Sequence, residues 1–282
     1  MLAASAGQGQ YPLMLHRTML GHARPLIAGL LLLCAVASPA SAEPLRARYE
    51  VRAAGLAVMT VLAHLDFAAA HYRLRTEVRA TGLATVLGDS RQTTSIEGTW
   101  RGNLPRPLRY RAEGIWRGAP RQVAMDWPTP EEPVVSLLVP PNDAEREAVP
   151  PTLRRGTIDG LSAIVLLGRA AAESGRCDGV VPVFDGRRRA DYHAVTEGRE
   201  RLAESGGFAG EAMRCTVEVR VLAGRLSDQD ANEAKTPQRA TAWLARLSPG
   251  GPVLPVRIDL PSRWFGTVRI HLLGIEPDPL AN

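Results

Sequence analysis

Asp185 and Gly186 stand directly before three consecutive arginines, Arg187, Arg188 and Arg189. A guanidinium holds phosphate or carboxylate through paired hydrogen bonds, so the cluster is a candidate for recognising an anionic group. The competing reading makes Asp185 and Gly186 a turn and leaves the arginines solvated or paired with Asp178 and Asp191. Gly88-Asp89-Ser90 places a serine on a tight turn, as some hydrolases do. The chain has no Gly-x-Ser-x-Gly elbow, however, and His64, His71, His193 and His271 are dispersed, which favours a plain turn serine. Asp228, Asp230 and Asn232 reproduce the first alternating ligands of a calcium loop, but Glu233 replaces the required glycine and Arg239 the bidentate acid. His193 and Asp191 share a strand face, and metal at either His64 and His71 or at this pair would need partners supplied by the fold. No cofactor or metal is expected.

These side chains sit in a chain of 282 residues, 45% hydrophobic and 22% charged, a profile that argues against disorder, collagen-like repeats and multiple membrane spans. Residues 1–42 lack Asp and Glu, carry Arg17 and Arg24, run apolar from Leu26 to Ala37 and end in Ala40-Ser41-Ala42. This reads as a secretory signal cut after Ala42, leaving a single β-rich domain over 43–282 in the periplasm. The apolar run is too short to span a bilayer, and Leu33 before Cys34 disfavours a lipidated cysteine. Without the signal, 32 basic side chains face 29 acidic ones, and the formal charge falls from +5 to +3. So small an excess argues against nucleic acid as a partner. Cys177 and Cys215 remain as an even pair in an oxidising compartment, and a disulfide between them is expected.

The elements that must position the candidates are mostly strands. Tyr49 to Val51, Val58 to Leu65, Tyr72 to Val78 and Thr93 to Trp100 alternate or are β-branched, and are divided by glycines spaced too closely for helices. Leu108 to Trp116 and Gln122 to Trp127 follow. Prolines crowd the stretch from Pro128 to Pro151, where only Val134 to Val139 reads as a strand. One amphipathic helix is expected from Ala163 to Ser174, capped by Thr157 or Asp159 beside Ser162 and ended by Gly175. Its apolar stripe, Ile164, Leu167 and Ala171, should pack on the sheet. Asp185-Gly186 is a strong hairpin signal between Val180 to Phe184 and Arg187 to Val195. Strands resume at Arg214 to Val221, Arg239 to Leu247, Val253 to Leu260 and Thr267 to Gly274. The expected fold is mainly β: one curved antiparallel sheet or open barrel with a single packed helix.

Thr157-Ile158-Asp159-Gly160-Leu161-Ser162, Cys177-Asp178-Gly179, Val183 through Arg189 with Tyr192, Cys215 and Leu254-Pro255-Val256-Arg257 occur in an order that resembles a bacterial exported family, domain of unknown function 3108. The likeness runs from about Tyr49 onward. Gly160 departs from the proline expected there, which should loosen the helix start. The resemblance implies an envelope-located, mainly β protein with no assigned chemistry. A further likeness to lipoprotein-carrier open β-barrels is one of fold alone, and fold does not carry function.

The reading that follows is a non-catalytic periplasmic binding or envelope-assembly protein, holding an amphiphilic ligand or an anionic one such as a lipid or envelope glycan. The binding residues would be Arg187, Arg188 and Arg189, with Asp185, Gly186, Asp159 and Ser162 structural. The alternative is an envelope hydrolase with a site assembled from dispersed residues. Trp100, Trp116, Trp127, Trp243 and Trp264 are expected mostly in the core, although a curved sheet can use such residues to line an apolar cavity.

Overall fold

The computed structural model describes residues 43–87, 90–116, 118–228, 236–262 and 264–279. The expected export signal, Gly88 and Asp89 of the serine turn, and Asp230 and Asn232 of the acidic loop lie outside the described residues.

Residue 45 begins a run of seven strands: β1 (Leu45–Ala53), β2 (Leu56–Phe67), β3 (His71–Ala80), β4 (Arg91–Arg101), β5 (Leu104–Trp116), β6 (Ala119–Thr129) and β7 (Glu132–Val139). Two helices follow, the single turn α1 (Pro151–Arg154) and α2 (Gly160–Ser174). Six more strands follow among the described residues: β8 (Gly179–Phe184), β9 (Arg189–Ser205), β10 (Phe208–Ala223), β11 (Gln238–Arg246), β12 (Val253–Ser262) and β13 (Gly266–Pro277). All pair antiparallel in one sheet of order β7-β6-β5-β4-β3-β2-β1-β13-β12-β11-β10-β9-β8. The chain is thus two meanders joined where its first and last strands meet. None of the described helices is long and apolar enough to cross a membrane.

The side-chain period of two decides which way each strand faces. In β3, Tyr72, Leu74, Thr76 and Val78 alternate with Arg73, Arg75, Glu77 and Arg79, so an apolar face and a charged face are unambiguous. Tyr72 and Leu74 are buried together with Ala47, Tyr49, Ala63, Leu65 and Ile96 of neighbouring strands in the main core. Register shifts interrupt the ladders at Arg48/Tyr49, Val51/Arg52, Glu97/Gly98 and Trp243/Leu244, among others. Such irregularities bend strands and increase twist, which curls the sheet around its apolar face.

The two edge strands, β7 and β8, do not pair with each other. The connector from residue 140 to 159 fills the seam instead. Ile158 pairs in parallel with Val183, Arg146 bridges to Leu226, and Trp127 Nε1 donates to the Thr157 carbonyl at 3.1 Å. Met125, Trp127, Val149, Phe184 and Ala223 form a second core beneath this seam. The fold is an open barrel whose last gap is shut by a connector and side chains.

The helix is as expected, with its start moved back to Gly160. Asp159 caps it through Oδ1, which accepts from Ser162 N at 2.8 Å, and Gly175 ends it in the left-handed region at φ 68°. The long hairpin β9–β10 exceeds expectation. Its polar extension, Thr196 to Ser205, is held by pairing with β10, and Gly207 N at its tip donates to the Leu272 carbonyl at 2.7 Å.

Candidate functional site: a two-compartment groove along the helix

A buried chain of hydroxyls fixes α2 against the sheet. Ser162 Oγ donates to Asp159 Oδ2 at 2.5 Å, and Tyr72 reaches from β3 to within 2.9 Å of the same hydroxyl. Asp159 and Ser162 are fully buried. Burial pushes the Asp159 carboxyl above its usual range, against the hydrogen bonds from Ser162. Burial likewise raises the Tyr72 phenol. Tyr72 can reach because its strand partner on β4 is Gly98, where any Cβ would collide with the phenol ring. Further along the helix, a Cβ at Gly168 would stand 2.7 Å from the Val253 carbonyl, so α2 lies close on the start of β12.

The helix does not fill the space it covers. Between α2 and strands β1 to β3 and β12 is a cavity of about 510 Å³. Tyr49, Val61, Leu65, Leu74 and Ile270 contribute its apolar walls, and Trp100, Arg169 and Pro252 also line it. Arg169 stacks on the Trp100 ring at 4.1 Å and pairs with Glu173. Ile164, expected to pack on the sheet, is instead 42% exposed and lines this space, while Ala163, Val165 and Ala171 carry the helix packing.

A second compartment of about 390 Å³ shares Thr76, Val78, Leu161 and Ile164 with the first, so the two adjoin along α2. Its lining is more polar and includes Gln92, Thr94, Tyr192, Asp185 and Arg188. Arg188 Nε lies 2.9 Å from Asp185 Oδ2. Burial works against the Arg188 charge, but Asp185 holds the guanidinium above its usual range.

The three consecutive arginines do not share one site. Arg187 Nη2 donates to the Val139 carbonyl at 2.7 Å, and Arg189 Nε to the Leu153 carbonyl at 3.0 Å, so both clamp the seam. Arg189 also pairs with Asp191 at 2.8 Å. Of these three, Arg188 alone lines the groove. Asp185 Oδ1 accepts from the backbone amides of Arg187 and Arg188, and Gly186 takes φ 88° facing Val123, which places both in the turn.

Cys177 and Cys215 form the expected disulfide, buried beside Ala171, Met213 and Leu244. It ties the segment after α2 to β10. His64 and His71 engage different carboxylates, Asp278 at 2.9 Å and Asp66 at 3.4 Å. Of the tryptophans, Trp127 and Trp243 are buried, while Trp100 and Trp116 line the two compartments. Trp264 is the exception to a mostly interior set: it is 87% exposed at a hairpin tip. The sequence signals missed Tyr72 and Gly98, whose roles depend on a helix 90 residues away in the chain.

Among curated proteins nothing matches the chain. Of solved structures, it is similar to a beta-barrel-like protein of domain of unknown function DUF1849 from Brucella abortus. The two are 14% identical, with a TM-score of 0.50 over 84% of this chain and 98% of that one, a likeness of fold. The capped helix, the disulfide and all but the outer ends of β1 and β13 fall within residues 47–273, which match the family described as "Protein of unknown function (DUF3108)", and the chain belongs to that family.

Proposed function

We propose that the protein is a non-catalytic binding protein of the periplasm that holds an amphiphilic ligand in the groove along α2. The observation that carries this reading is the apolar cavity of about 510 Å³, a volume typical of small-molecule sites, with Ile164 of the covering helix exposed into it. A core whose purpose was stability alone would close on such a space, because an unfilled apolar cavity costs stability. The adjoining polar compartment supplies the other half of an amphiphile's needs. Arg188, Gln92 and Tyr192 suit an acidic or hydroxylated head, with the apolar body lying beneath the helix. The hydrolase alternative has less support, because Ser162, whose hydroxyl donates to the Asp159 carboxylate at 2.5 Å, is fully buried between Asp159 and Tyr72.

Native mass spectrometry of the protein purified from its own envelope, followed by solvent extraction, tests the proposal. A co-purifying amphiphile, lost on substitution of Ile164 by Trp, is the expected result. Protein that carries no bound molecule and takes up none from a panel of fatty acids and lysophospholipids would refute it.

A further inference from the structure

The β12–β13 hairpin ends in Trp264 and Phe265, which are 87% and 55% exposed. Leu56, 55% exposed, follows the β1–β2 turn. Strand register brings these features together: Arg52 pairs with Arg269, and Ser262 with Gly266, so both turns project from the same end of the sheet. Immediately behind them is a small pocket of about 190 Å³ lined by Arg52, Arg257, Thr267, Arg269 and His271. These side chains alternate with Val51, Ile258 and Ile270 and so occupy the charged outer face, opposite the ligand groove.

The pocket holds more positive than negative charge. Asp259 serves two arginines, accepting from Arg257 at 2.5 Å and lying 3.7 Å from Arg269, while Glu50 pairs with Arg52 at 2.9 Å. Arg257 is further committed to the Trp243 ring, 4.5 Å away. Arg52 and Arg269 keep about half of their side-chain surface in solvent, at 44% and 53%.

We propose that this end of the sheet is a docking surface for an anionic membrane, with Trp264 and Phe265 entering the lipid interface and Arg52 and Arg269 engaging lipid phosphates. Tryptophan favours the boundary between headgroups and acyl chains, and peripheral binding grows with apolar insertion and with positive charge near an anionic surface. A protein partner fits less well. Two aromatic side chains on a hairpin tip bury far less than the roughly 1,000 Å² that a specific protein interface requires. The docking surface is independent of what occupies the groove.

Co-sedimentation with vesicles tests it, comparing phosphatidylcholine alone with phosphatidylcholine mixed with phosphatidylglycerol. The protein should partition onto the anionic vesicles, and less so as salt rises. Trp264→Ser combined with Phe265→Ser should lower partition about tenfold or more. Arg52→Gln with Arg269→Gln should lower it about 25-fold at low salt, at about fivefold per basic residue. Thermal melts and ligand load should match the parent protein in both variants. Equal partition onto neutral vesicles, or unchanged partition of a well-folded aromatic variant, would overturn the proposal. Self-association removed by the same aromatic substitutions would also overturn it, by assigning the tip to a second copy of the chain.

Discussion

At Gly98 a methyl group would strike the ring of Tyr72, so the absence of a side chain there is what lets the phenol lie across β4 toward Ser162. Gly98→Ala should displace the ring and cost about 1–3 kcal/mol, as overpacked core positions do, measured by urea denaturation. Tyr72→Phe keeps the ring and removes only the hydroxyl, so a loss of about 1 kcal/mol is expected in the same assay. Equal losses in the two variants would mean that the collision has no effect beyond the hydrogen bond. Asp159 and Ser162 were legible as a helix start because the cap and its amide partner are three residues apart. The third member of the chain was not, since nothing local marks Tyr72 as different from any other inward-facing strand residue.

Among the elements, the seam between β7 and β8 is crossed by a charged cluster. Glu145 receives both arms of Arg121 on β6 at 2.6 Å and lies 3.9 Å from Arg187 at the β8–β9 turn, so one carboxylate spans the gap that strand pairing leaves. The hydrogen bonds from Arg121 hold the Glu145 carboxyl below its usual 4.5. A depressed carboxyl contributes stability above its unfolded value and loses it as pH falls through the folded one. Protection of residues 140–158 from hydrogen exchange should therefore fall below about pH 4.5, and Glu145→Gln should show the weaker protection already at pH 7. Unaltered exchange in that variant would remove the carboxylate from the seam. The disulfide acts on a different element. It closes a loop of 38 residues, so replacing Cys177 and Cys215 together by Ala should cost about 3–4 kcal/mol in a denaturant titration. Turn chemistry made the β8–β9 hairpin readable in advance, and Cys177 and Cys215, the two cysteines beyond the expected signal, made this bond so. The length of β9 was not readable, because Thr196 to Glu204 is polar with only Leu202 buried, and its order comes from pairing with β10 and the docked tip at Gly207.

For the whole molecule, alternation in β3 and its neighbours announced a curved sheet with one apolar face, but not how much of that face the helix would leave uncovered. A cavity is set by the difference between two volumes, and periodicity reports neither. Ile164 shows the consequence: its spacing matches Leu167 and Ala171, yet the curvature leaves it facing empty space. The arginine run shows another, since three adjacent guanidiniums reach different sides of the turn and only Arg188 meets the groove. If the groove is a ligand site, occupancy must stabilise the fold, because a ligand that binds only the folded state adds RT ln(1 + [L]/Kd), about 2.7 kcal/mol at a hundredfold excess over Kd. Delipidated protein should therefore melt at a higher temperature when a single-chain acidic amphiphile is added, followed by differential scanning calorimetry. Ile164→Trp places an indole in the cavity and should abolish that rise, while changing the ligand-free stability by less than about 1 kcal/mol because the parent side chain is already half in open space. Arg188→Gln should weaken the rise for an acidic amphiphile and leave it unchanged for a neutral one of equal chain length, since its place is the polar compartment. A melting rise that persists in full in Ile164→Trp would place the amphiphile outside the groove.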